Sequence, residues 1–187
     1  MNRQTTILLS IIGALILAIG ILFYTKVIEI KRIPPSQVVH NFTLTTLDGN
    51  RFNIRAENRK FQIEGMQGKI VFLKVFGWDC EFCQKEIPQL INLKKSLPNS
   101  FDVLAIEAQE HTDEQSREFI KKYGINYNIV SGNSQQDFYA YLQKQYGWTG
   151  VIPLTIVLSK DGYVLAFERG AKSYSLSELL KSSLLKR

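Results

Sequence analysis

Two apolar runs dominate the hydrophobic pattern of the chain. Residues 7–24 carry no charge, which returns only at Arg3 on one side and Lys26 on the other. Residues 70–76, Ile-Val-Phe-Leu-Lys-Val-Phe, are short and rich in β-branched and aromatic side chains, the signature of a buried strand. From Cys80 the period changes, with Phe82, Ile87, Leu90, Ile91 and Leu93 at roughly helical spacing. A strand, a tight corner at Gly77 and a helix therefore follow one another. Upstream, residues 42–47 and 51–54 flank Asp48-Gly49-Asn50, a hairpin signal, and residues 55–69 are polar and punctuated by glycine. Downstream the pattern predicts a strand at 102–107, a helix at 113–123 between Thr112 and Gly124, and a strand at 127–130. A helix at 135–146 ending at Gly147, strands at 151–158 and 163–167, and a helix at 175–185 complete it. This alternation predicts an α/β fold, one mixed sheet covered by helices with an N-terminal β-hairpin.

The first run has the length of a membrane span, because eighteen helical residues cover about 27 Å. A cleaved signal peptide would have a shorter apolar core and a small-residue cleavage site, which residues 24–28 do not offer. The expected organisation is a tail at 1–6, a transmembrane signal anchor at 7–25, a linker at 26–38 stiffened by Pro34-Pro35, and a folded domain at 39–187.

Composition adds little to this frame and removes some alternatives. With 187 residues and 45% apolar content, the chain can build one ordinary core. Half of the net charge of +6 comes from residues 1–32, and no run of five like charges occurs, so nucleic acid is not expected as a partner.

The candidate chemistry lies in the helix's first turn. Cys80 and Cys83 are three apart, hence on one face and about 5 Å apart at Cα, within disulfide reach. The unpaired N–H groups and the dipole of that helix end stabilise a thiolate on Cys80, with Cys83 as the deeper, resolving thiol. Zinc needs about four ligands, and His40 and His111 are the two histidines available, in no paired spacing. Gln84 stands where a haem-attachment motif requires histidine. Neither metal nor cofactor is called for, although a copper chaperone using Cys80, Cys83 and His111 is a rival from another class.

Several short motifs share an order with one family. They are residues 42–49, Gly68-Lys69-Ile70-Val71, Cys80-x-x-Cys83-x-x-Glu86-x-Pro88, Gly150-Val151-Ile152-Pro153-x-Thr155 and Asp161-Gly162. Together the chain resembles the thioredoxin-fold, membrane-anchored thiol–disulfide oxidoreductases of the TlpA/ResA/CcmG group, over about residues 40–187. The resemblance implies reduction of a disulfide in an exported protein such as apocytochrome c. It implies a cis proline at Pro153 beside the cysteines, a proton-handling role for Glu86, and a membrane-embedded electron donor. Trp78, Phe82 and Ile152 would flank the docking groove for an extended peptide.

This sequence departs from that pattern in two places. Asp79 precedes the first cysteine where the family commonly has tryptophan, and Lys74 lies in the strand where thioredoxins bury an acid. A buried lysine needs a partner, and Glu86 is the candidate. Asp79 and Glu81 beside Cys80 should disfavour its thiolate and so favour a reductant, while Lys74 pushes the other way. A general disulfide oxidase or isomerase is the nearest alternative activity. A peroxiredoxin is disfavoured, because Gly77 occupies the threonine position of its signature. Lys26, Lys31 and Arg32 follow the apolar run, and a charge count alone would place the domain inside. Redox chemistry beyond a membrane anchor argues for the periplasmic, extracytoplasmic side of the inner (cytoplasmic) membrane, where disulfides persist.

Overall fold

The computed structural model describes residues 13–22, 38–109 and 111–185, and the chain divides into units at Met1–Val38 and Val39–Arg187. In the first unit, residues 13–22 are helical. Among the described residues no helix is long and apolar enough to cross a membrane. The rest of the expected anchor, the tail and nearly all of the linker lie outside the described residues.

The second unit contains two sheets where the sequence led us to expect one. β1 (His40–Thr45), β2 (Arg51–Glu57) and β3 (Lys60–Ile63) form an antiparallel three-stranded sheet. β4 (Ile70–Phe76), β5 (Phe101–Glu107), β6 (Asn128–Ser131), β7 (Leu154–Leu158) and β8 (Val164–Arg169) form a mixed sheet in the order β6-β5-β4-β7-β8. The two meet through isolated bridges, Thr46 to Val130 and Lys60 to Tyr163. β3 falls in the stretch expected to be irregular. Its alternation, Phe61 and Ile63 buried and Gln62 exposed, is a strand signal, but the turn before it is not. Asn58 and Arg59 both hold positive φ, 47° and 61°, a conformation that hairpin turns usually mark with glycine.

Four helices cover the central sheet: α1 (Glu81–Ser96), α2 (Asp113–Tyr123), α3 (Gln136–Tyr146) and α4 (Leu176–Leu184). Their ends follow the sequence signals. Thr112 and Gln115 form a reciprocal cap on α2, and Ser175 and Glu178 form one on α4. Gly124 and Gly147 stop α2 and α3 in the left-handed conformation, where a side chain is disfavoured.

β4 is buried along its whole length, and its alternation assigns its side chains to two cores. Val71, Leu73 and Val75 join Leu44, Ile54, Phe61, Phe138 and Leu142. Ile70, Phe72 and Phe76 join Cys83, Ile87, Leu90 and Leu179 on the other face. Lys74 shares the parity of that second set, so the pleat aims an ammonium at the underside of α1.

Candidate active site

Cys80 is the N-cap of α1 and not its first internal residue. Its extended backbone (φ −89°, ψ 107°) lets Sγ accept the Cys83 N–H at 3.2 Å. Sulfur thus occupies the place where a capping oxygen would satisfy an orphan donor, and where the helix dipole favours negative charge. The two cysteines are joined as a disulfide, with their Cα atoms 5.1 Å apart. Cys80 is half-buried and Cys83 is 2% exposed, so an incoming molecule meets the first sulfur and not the second. α1 runs on through Pro88 to Ser96, in keeping with the apolar pattern that continues past the proline.

The corner before Cys80 is braced from several directions. Trp78 is fully buried, donates its indole N–H to Ser116 Oγ at 3.0 Å and stacks on Phe119. That corrects the expectation that it lines a docking groove: its ring is committed to the core against α2. Gln84 Nε2 donates to the Trp78 carbonyl, and Gln109 Oε1 accepts the Asp79 N–H at 2.8 Å. A Cβ on Gly77 would displace that Gln109 side chain from the Asp79 N–H.

Beneath the disulfide, Lys74 Nζ donates to Glu86 Oε2 and to Thr155 Oγ1, both at 2.6 Å. The strand register opposes Lys74 to Thr155, and α1 brings Glu86 over them one turn past Cys83. Lys74 is 1% exposed, whereas the Glu86 side chain keeps partial access to water. Burial pulls the Lys74 ammonium below its ordinary pKa of 10.5, against the upward pull of the Glu86 carboxylate. Burial, with the Glu86 charge adding to it, pushes the Tyr127 phenol upward.

The Ile152–Pro153 peptide is cis. Because Val75 opposes Leu154 in the β4–β7 ladder, Pro153 comes level with Phe76, where the chain turns toward the cysteines. Two contacts not anticipated from sequence hold this loop: Trp148 donates its indole N–H to the Val151 carbonyl, and the Gly170 N–H donates to the Pro153 carbonyl, each at 2.8 Å. Ile152 is half-buried and packs against both cores. Phe82 is 52% exposed and, with Lys85, Glu86, Gln89, Lys172 and Tyr174, lines a groove of about 290 Å³ between α1 and the loop before α4.

His111, weighed above as a copper ligand, lies in the loop after β5 and faces carboxylates instead. Its Nε2 lies 3.1 Å from Asp79 Oδ2 and its Nδ1 lies 3.2 Å from Glu107 Oε1, so carboxylates occupy both ring nitrogens. Among the described residues no group of three His, Cys, Asp or Glu side chains is placed to hold a metal ion. The copper reading fails on that geometry. His40 lies elsewhere, its ring against Phe42 and Tyr141.

Comparison with known proteins fits this geometry. The AhpC/TSA family model matches residues 35–167. The chain belongs to the AhpC/TSA family. Relatives include the thiol–disulfide oxidoreductase ResA of Bacillus subtilis (strain 168), 27% identical over 94% of this chain and 90% of its own length. ResA of Bacillus thuringiensis subsp. konkukian (strain 97-27) is 29% identical over 95% and 93%. The crystal structure of StoA from Bacillus subtilis shares the fold, with TM-score 0.55 and 20% identity over 79% of this chain and 98% of that one. The ResA relatives support a place for the chain in the TlpA/ResA/CcmG group, and with it the activity of a thiol–disulfide oxidoreductase. The family name does not restore a peroxidase reading, because Gly77 still stands in the threonine position.

Proposed function

We propose that this protein reduces a disulfide in an exported protein, with apocytochrome c as the kind of substrate, on the extracytoplasmic side of a membrane that residues 7–25 span. The observation that carries the reading is the sulfur of Cys80 acting as the helix cap above a buried Cys83. A cap that receives an N–H is improved by negative charge, so the dithiol form presents its nucleophile at the accessible sulfur. The membrane and substrate parts rest on the apolar run and on the likeness to ResA.

The cycle begins with both cysteines reduced. The Cys80 thiolate attacks one sulfur of the substrate disulfide, and the second substrate sulfur leaves as a thiolate and takes up a proton. Cys83 then gives up its proton and attacks Cys80 Sγ, which releases the first substrate sulfur. Two electrons have passed from enzyme to substrate, and Cys80–Cys83 is left as the disulfide. A dithiol donor in the membrane returns the electrons. Glu86, half-buried and bonded to Lys74, receives the Cys83 proton and passes it to water. Phe82 and Ile152 offer apolar surface to an extended peptide, with Pro153 level with Phe76, where the chain turns toward the cysteines.

The test is to trap the client. A Cys83→Ser variant, expressed with its native membrane fraction, is expected to accumulate a covalent adduct through Cys80, identifiable by mass. Adducts with exported cysteine-bearing proteins support the reading. No adduct, or a measured potential near the about −120 mV of a strong oxidant, overturns the reductant assignment.

A further inference from the structure

A buried carboxylate at the end of β5 organises a clamp on the residue next to the nucleophile. Glu107 is 2% exposed and accepts three donors: the Gln109 N–H on Oε1 (2.9 Å), the His111 N–H on Oε2 (3.3 Å) and His111 Nδ1 on Oε1 (3.2 Å). The two residues it orients both reach Asp79. Gln109 accepts the Asp79 N–H, and His111 Nε2 meets the Asp79 carboxylate. Carboxylates are acceptors, so an imidazole lying between two of them satisfies both when each nitrogen carries a proton. The chain Glu107–His111–Asp79 then ends one residue before Cys80.

We infer that His111 is a positioning residue for disulfide exchange: it holds the Asp79 carboxylate and offsets that charge beside Cys80. The inference rests on the oxidoreductase reading above and deepens it. A bare carboxylate next to Cys80 would oppose the thiolate that attacks substrate, and it would do so through a partly exposed path, hence by a modest factor. Glu81, following Cys80, is engaged by Lys85 at 2.6 Å. The remaining ring against His111 is the edge of Phe119 on α2, with Lys122 over that ring at 5.8 Å. His111 thus sets how much of Asp79's charge Cys80 meets.

The experiment measures the rate of Cys80 alkylation by iodoacetamide against pH in the fully reduced protein, for wild type, His111→Gln, Asp79→Asn and the double variant. His111→Gln is expected to slow alkylation at neutral pH by about threefold and move the profile to higher pH. In the Asp79→Asn background the same substitution should move neither. An equal effect of His111→Gln in both backgrounds, or none in either, overturns the inference. Should His111→Gln fail to fold, the ring of the otherwise wild-type protein decides instead: nitrogen NMR should show the His111 Nε2 resonance move on Asp79→Asn, and an unmoved resonance overturns it. If wild-type Cys80 and Cys83 cannot cycle between disulfide and dithiol, the oxidoreductase reading fails first. Normal cycling with an unmoved profile sinks the His111 role alone.

Discussion

Lysine meets carboxylate at both ends of the β4–β5 ladder, and the two assemblies differ in what holds the charge. At the end away from the cysteines, Asp102 is 5% exposed and bonded to Lys69 at 2.8 Å and to Lys94 at 2.5 Å. Burial works to raise the Asp102 pKa, but the two lysines and the Val103 N–H together outweigh it and hold the carboxyl below its usual range. At the end beneath the cysteines, Lys74 is the deeply buried member and Glu86 keeps some access to water. There burial outweighs the single carboxylate, and the ammonium's proton is held loosely. Two partly exposed cations around one anion make a structural fixture. One buried cation under one partly exposed carboxylate is the pair proposed above to handle the proton of disulfide exchange.

The largest expected effect breaks the fixture. Asp102→Ala should destabilise the fold by about 2–3 kcal/mol in urea unfolding, since it leaves two lysines facing each other at a buried edge. The wild type carries the matching acid dependence. With its folded pKa below the ordinary 3.8, Asp102 contributes fully above that value and loses its contribution as pH falls through the folded one. The Asp102→Ala variant should therefore show a flatter acid limb, while its folded fraction still exchanges disulfides at the wild-type rate.

Replacing Lys74 by Met should act the other way round. Stability at neutral pH is expected to fall by only about 1 kcal/mol, because the Glu86 carboxylate left without its partner still reaches water while Met fills the buried space of the Lys74 stem. The sign with pH is informative. The folded protein holds the Lys74 proton less tightly than the unfolded chain does. Wild-type stability relative to Lys74→Met should therefore rise with pH from the folded pKa up to about the ordinary 10.5. The chemistry should suffer more than the fold, with release of a model mixed disulfide by Cys83 slowed about tenfold in stopped-flow traces. An unslowed release would return Lys74 and Glu86 to the structural class of Asp102.

The smallest effect belongs to an exposed pair on the same helix. Glu81 and Lys85 are four apart at the tip of α1, and Lys85 holds the Glu81 carboxyl below its usual range. Lys85→Ala should leave the melting curve where it is, because water and side-chain freedom compete with the contact. A visible shift would mean that exposed charge at the tip supports α1 as the buried pair does.

The elements that sequence anticipated are the ones with near-neighbour causes. The strand at β4, the helix after Cys80, the N-cap at Thr112 and the glycine stops at 124 and 147 depend on residues within a turn or two. The same holds for the separation of Cys80 and Cys83 on one face. Even the Lys74–Glu86 pair was within reach, since an ammonium in a buried strand requires a carboxylate and the helix above supplies one. What stayed hidden depended on parts of the chain far apart in sequence. Trp78 was committed to Ser116 and Phe119 on α2, β3 was joined through a turn without glycine, and the expected single sheet became two. His111 carried no motif, and only the closure of the loop after β5 onto the corner at Asp79 set it between two carboxylates. Local periodicity and spacing therefore determined the fold class and the sulfur pair. Long-range packing alone decided which side chains share charge with that pair, because those distances depend on how the loops close over the sheet.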